Sequence, residues 1–159
     1  MQNTYTIWCL TNILVDGSED LISSMISKGI VKKIITFAHQ GFIDIVIANA
    51  LSFLYTMVDR SNYATEEYFF KEHFSKIMAE ILQKASNPVI LETIFYILLE
   101  LFSKEKGAIE HSSKFKDEFE QNGGADFLEK YANDNTFCEG KFVKIASRIH
   151  DMFFKSESA

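Results

Sequence analysis

Apolar residues recur along this chain in helical phase, with polar breaks that divide it into short, medium and long segments. The first runs from an Asn3 or Thr4 cap to Asp16-Gly17, where glycine accepts the left-handed conformation that ends a helix. At 100° per residue it sets Ile7, Leu10, Ile13 and Leu14 on one stripe, with Trp8 and Asn12, one turn apart, on the other side. Ser18 or Asp20 then caps a short helix over Leu21–Ser27, and Gly29 breaks it. Ile30–His39 follows with Ile30, Ile34, Ile35 and Phe37 inward, and Gly41 stops that helix. A longer helix from Ile43 or Asp44 to Val58 is apolar on nearly all sides through Ile45, Val46, Ala48, Ala50, Leu51, Phe53 and Leu54. Such a helix sits between neighbours.

The same order recurs downstream. Helices are predicted over Glu66–His73 and Ser75–Lys84, and Asn87-Pro88 opens a strongly apolar one over Val89–Ser103, with an amide cap followed by proline at the first helical position. Ser103 to Ser113 turns polar and reads as a loop or a frayed turn. A last block has helices over Lys114–Asn122, Ala125–Ala132 and Gly140–Phe154, separated by Gly123-Gly124 and a polar loop from Asn133 to Thr136. Sliding the chain on itself by 43 residues places Leu10, Val15 and Asp16 on Phe53, Val58 and Asp59, and a further step of about 44 brings Leu10 to Ile97. That period suits stacked helical repeats. On it, Trp8 and Asn12 correspond to Leu51 and Tyr55, then to Phe95 and Leu99, so a Trp/Asn ladder has one rung.

Composition narrows the chemistry. The 159 residues are 47% apolar, with one proline and seven glycines, which favours an all-α chain with one continuous core over a sandwich or barrel. Net charge is −6, from 22 acids against 16 bases, which disfavours nucleic acid and anionic membrane as partners. Cys9 and Cys138 have neither zinc-ligand spacing nor a disulfide framework, and a reducing compartment, cytoplasm or nucleus, fits them. His39, His73, His111 and His150 fall in separate elements without ligand spacing, and no nucleophile elbow or phosphate-binding loop occurs, so no catalytic, cofactor or metal site is expected. The aromatic run from Glu66 to Phe74 reads as a core stripe with a solvated face. No signal peptide and no membrane span are read from the sequence.

Trp-x-x-x-Asn on the outer face of an apolar helix closed by Asp16-Gly17 resembles the third helix of an armadillo repeat of the importin-α family. The stretch Phe119-Glu120-Gln121-Asn122-Gly123-Gly124-Ala125-Asp126-Phe127-Leu128 is similar to the family's terminal repeat. The resemblance is residue-specific over roughly 7 to 41 and 114 to 154. It implies a right-handed armadillo superhelical solenoid of about three and a half repeats, in a single domain over 1–155 with a short polar tail at 156–159. It also implies protein binding without catalysis. Trp8 would stack on a lysine stem and Asn12 would hold the backbone of a basic nuclear-localisation-type peptide, with a transport receptor contacting the terminal repeat. The family's usual acid three residues before the tryptophan is Tyr5 here, and its basic N-terminal segment and most groove repeats are absent. The alternative at Trp8 and Asn12 is internal packing and capping. A second reading is a scaffold subunit: if residue 1 is a true start, the side of Ile7, Leu10 and Leu14 lacks a cover and docks on an assembly partner or on a second copy of the chain.

Overall fold

The computed structural model describes residues 2–41, 43–107, 114–133 and 140–155. Among them the chain is all-helical: α1 (Gln2–Val15), α2 (Glu19–Ser27), α3 (Ile30–Gln40), α4 (Asp44–Asp59), α5 (Tyr63–Lys71), α6 (Phe74–Lys84), α7 (Pro88–Gly107), α8 (Lys114–Gln121), α9 (Gly124–Asn133) and α10 (Gly140–Phe153). After α1, helices of 9, 11 and 16 residues are followed by 9, 11 and 20, then 8, 10 and 14, so a short, medium, long order occurs three times.

The turns between each short and medium helix are alike. Gly29, His73 and Gly123 all take the left-handed conformation, with φ of 70°, 53° and 75°. Each donates its N–H to a carbonyl three residues back: Gly29 to Ile26, His73 to Phe70, Gly123 to Glu120. The preceding residues Lys28, Glu72 and Asn122 donate to carbonyls four back. Two of these turns use glycine, which adopts that conformation without steric cost; His73 does so as an L-residue.

The chain divides into two compact units, Met1–Phe74 and Ser75–Ala159. In the first, α1 packs along α4, and α3 packs on α4 and α2. Arg60, just past α4, donates to the carbonyls of Val15 and, at 2.7 Å, of Gly17. The C-terminal ends of α1 and α4 therefore lie together and the two helices run parallel. Ile7, Leu14, Leu51, Phe53, Leu54, Met57 and Val58 are buried in this unit. In the second, α10 packs on α9 and α7. Phe102 meets Phe153 and Phe154 edge to face, with centroids 5.5 and 5.7 Å apart, so α7 and α10 also run parallel. Phe119 joins the cluster at 5.5 Å from Phe102.

Several expectations change. α1 begins at Gln2, so Asn3 and Thr4 lie inside it. Asn62 caps α5 by accepting from the Thr65 N–H at 3.1 Å, which starts that helix earlier than Glu66 and leaves His73 in the turn. α7 continues to Gly107 through the first half of the expected loop, because the polar residues there have helical partners: Lys104 pairs with Glu100 one turn back, and Glu105 caps α8. Val31 and Ala38 are buried on α3 whereas Ile30 and Phe37 are not fully buried, and Ile45 on α4 is exposed. The remainder of that loop, residues 134 to 136 and the tail at 156–159 lie outside the described residues.

Candidate protein-docking face

Matching helix ends, caps and turns relate α1–α3 to α4–α6 by a constant offset. α1 ends at Val15 and α4 at Asp59; Ser18 and Asn62 cap the next short helices; Gly29 and His73 make the next turns. Each pair is 44 residues apart. The sequence offset of 43 is thus one residue short, because matching apolar letters aligns core to core without fixing phase around the helix. Leu51 and Phe95, the counterparts of Trp8 at that offset, are core residues. The counterparts at 44 are Ser52 and Tyr96, both exposed.

Trp8 is 57% exposed and Asn12 is exposed beside it. Neither side chain makes a hydrogen bond within the described residues, whereas the amides of Asn49 and Asn122 donate to main-chain carbonyls, and those of Asn62 and Asn87 accept from main-chain N–H groups. Tyr5 (65% exposed) and Val15 (50%) lie beside them on the helix, and Ile13 (55%) is exposed further around it. Ile13 is not on the inward stripe that the sequence predicts for it; it lies about 120° around the helix from Ile7, too far to share its buried side. At 44 residues on, Tyr5, Trp8, Asn12 and Val15 become Asn49, Ser52, Thr56 and Asp59, so α4 is polar where α1 is aromatic and apolar. Cys9 and Ile13, both exposed, become Phe53 and Met57, both fully buried.

The partner-docking set Ile7, Leu10 and Leu14 is corrected. Ile7 is 2% and Leu14 0% exposed, and Leu10 is half-buried. Their side of α1 is already occupied by the core it shares with α4.

Elsewhere, an apolar depression of about 360 Å³ is lined by Thr36, Phe37, Gln40, Gly41, Ile43 and Val46. A polar one of about 330 Å³ lies among Glu129, Asn133, Ser147, His150, Asp151 and Lys155, with Lys155 paired to Asp151 at 3.3 Å. Among the described residues no cluster of three or more His, Cys, Asp or Glu is arranged to hold a metal, and no helix is long and apolar enough to cross a membrane. Two acidic side chains cap helices. Glu105 accepts from the Phe115 and Lys116 N–H groups at 2.8 and 3.2 Å at the start of α8. Burial pushes its carboxyl above the usual glutamate range, with Asp117 adding to the rise, against the opposing hydrogen bonds and Lys116. Glu118 accepts from the buried Ser75 hydroxyl at 2.8 Å and from the Lys76 N–H at 3.4 Å. Neither cap is legible in the sequence, because each joins different helices.

No protein-family model matches the chain, and no curated protein matches it significantly.

Proposed function

We propose that the chain is a non-enzymatic protein-binding module of the armadillo type, a right-handed solenoid similar in repeat order to the C-terminal part of importin-α. It takes its partner on the outer face of α1, around Trp8 and Asn12. The observation that carries this reading is the pairing of a largely exposed tryptophan with an exposed asparagine one turn away, neither side chain hydrogen-bonded among the described residues. An exposed indole keeps apolar surface in water that docking removes, and an open amide offers both a donor and an acceptor to a partner's backbone. The three matching helix triplets support the repeat architecture.

In the adaptor form of this reading, a lysine stem of a nuclear-localisation-type peptide lies on Trp8 while Asn12 holds the peptide backbone, and the chain works between cytoplasm and nucleus. One cation–π contact supplies only about 0.5–2 kcal/mol, so a bound peptide also uses Tyr5 and Val15. The scaffold reading draws support from the same neighbours: Tyr5 and Val15 extend the face beyond what one lysine needs.

Trp8 is the sole tryptophan, so its emission reports on this face. Dilute protein is expected to show solvent-like emission that shifts to the blue, saturably, on titration with a lysine-rich nuclear-localisation peptide, and less so in Asn12→Ala. Unchanged emission across the titration overturns the adaptor form.

A further inference from the structure

The outer face of α1 has properties that select one kind of occupant. Between Gln2 and Val15 there is no Asp, Glu, Lys, Arg or His, and α1 is the one helix among those described of which this is true. Its outward positions Tyr5, Trp8, Asn12 and Val15 are spaced three, four and three residues apart, within an arc of about 80°. This is the spacing of a helix that packs along another helix, with an amide among apolar residues, the device that fixes register in paired helices. An extended basic peptide finds no acid within the seam; another uncharged helical face fits it.

We infer that the occupant is the same face of a second copy of this chain, packed antiparallel, and this rests on the reading of α1's outer face as a docking surface. Three observations favour a copy. First, the chain carries a net charge of −6, and two copies approaching through the uncharged α1 bring no like charges of that helix together. Second, the seam reads alike from both ends. Tyr5 and Val15 are equally distant from Leu10, as are Trp8 and Asn12. Antiparallel pairing about Leu10 sets each Trp8 on the copy's Asn12 and each Tyr5 on the copy's Val15, the self-complementary arrangement a twofold axis requires. Third, Cys9 lies next to the seam at the position where α4 carries the fully buried Phe53, so the pair also covers part of the side of α1 that its counterpart keeps dry.

The area sets the strength. Each aromatic side chain offers roughly 150–250 Å², and Tyr5 and Trp8 leave more than half of theirs in water. With Val15 this stays below the ~800 Å² per partner of a standard interface. The pairing is therefore reversible and concentration-dependent, and because it covers Trp8 and Asn12 it competes with any other occupant of that face.

Two measurements on the full chain test this. Sedimentation over a concentration series is expected to show a monomer–dimer equilibrium, with Trp8 emission shifting to the blue as dimer forms. Trp8→Glu is expected to weaken association by at least about 30-fold, the factor of a hot-spot aromatic, with an unchanged helical circular dichroism spectrum. In a Cys138→Ser background, the two copies of Cys9 lie about 3 Å apart along the helix axis, so a short bifunctional thiol reagent links them in the wild-type seam and not in Trp8→Glu. A monomer at all concentrations overturns the inference, as does a dimer that neither links through Cys9 nor responds to Trp8→Glu. A monomer whose Trp8 emission still responds to the lysine-rich peptide sinks the dimer alone; one that responds to neither sinks the docking face as well.

Discussion

Glu118→Ala removes a cap that one helix supplies to another, and the structure gives its cost. The Glu118 carboxylate accepts from the Ser75 hydroxyl at 2.8 Å and the Lys76 N–H at 3.4 Å, at the start of α6. Ser75 is fully buried, so removing its acceptor strands a hydroxyl away from water, at about 1–3 kcal/mol. Loss of the acceptor for an N-terminal helix N–H adds about 1 kcal/mol. Together these give about 2–4 kcal/mol, or a fall in Tm of roughly 5–15 °C for a chain of this size. Ser75→Ala alone costs less, because Glu118 keeps the Lys76 N–H and reaches solvent with its other lone pairs. In the double variant the stranded hydroxyl is gone, so most of the penalty that Glu118→Ala incurs at Ser75 disappears.

Urea denaturation of the four proteins at neutral pH checks this through the midpoint, provided the slope is unchanged. A coupling of about 1–2 kcal/mol between positions 75 and 118 is expected. Glu118→Gln retains an acceptor and loses the charge assistance, so it falls between wild type and alanine. If the two single-site effects add to within about 0.5 kcal/mol, the Ser75–Glu118 hydrogen bond does not hold α6 to α8, and the cost assigned to the stranded hydroxyl is refuted.

Arg60→Ala is expected to cost about 1–2 kcal/mol by leaving the carbonyls of Val15 and Gly17 without their shared donor, and Arg60→Lys rescues it incompletely because an ammonium lacks the fork that reaches both; thermal denaturation measures both. His73→Gly relieves a left-handed L-residue and raises stability by up to about 1 kcal/mol, whereas Gly29→Ala, at φ 70°, lowers it by a similar amount; opposite signs in paired melts are the expected outcome. Glu105 has its folded pKa raised above its unfolded value, so the stability tied to its protonated form is full below the ordinary value of 4.5 and is lost as pH rises through the folded value. Glu105→Gln is therefore expected to gain on wild type as pH climbs through that window, read from denaturation midpoints between about pH 4 and 8.

What is legible in the sequence is local. Gly29, Gly41, Asn87-Pro88 and Gly123 punctuate the chain with side chains whose backbone preferences act within a few residues, and helix ends fall beside them. Asn62 carries the same kind of signal, an amide three residues before Thr65, but the aromatic run that follows it obscures the start of the helix. His73 is not legible, since nothing local marks a histidine for φ 53°. Arg60, Glu105 and Glu118 act on backbone groups outside their own helices, so their partners follow from packing and not from spacing.

The sequence places Trp8 outward correctly and Ile13 inward incorrectly, for one physical reason. α1 is apolar on both sides, so no polar face marks where its buried stripe ends; burial of Ile7 and Leu14 fixes the inward direction, and Ile13 falls outside it. The comparison with α4 shows that this second apolar face is not required of a helix packed in this way. At the counterparts of Tyr5, Trp8, Asn12 and Val15, α4 has Asn49, Ser52, Thr56 and Asp59, and two of these satisfy themselves on their own helix: Asn49 donates to the Ile45 carbonyl at 2.7 Å and Thr56 to the Ser52 carbonyl at 3.1 Å. The two helices run parallel in one unit and occupy equivalent positions, so the backbone makes the same demand on both. What differs is the solvent-facing chemistry: closed in α4, and open in α1, where an indole and an amide face outward with no hydrogen bond among the described residues. A fold that tolerates four polar residues at these positions gives no structural reason for Tyr5, Trp8 and Val15 in water, and covering them with another chain supplies one.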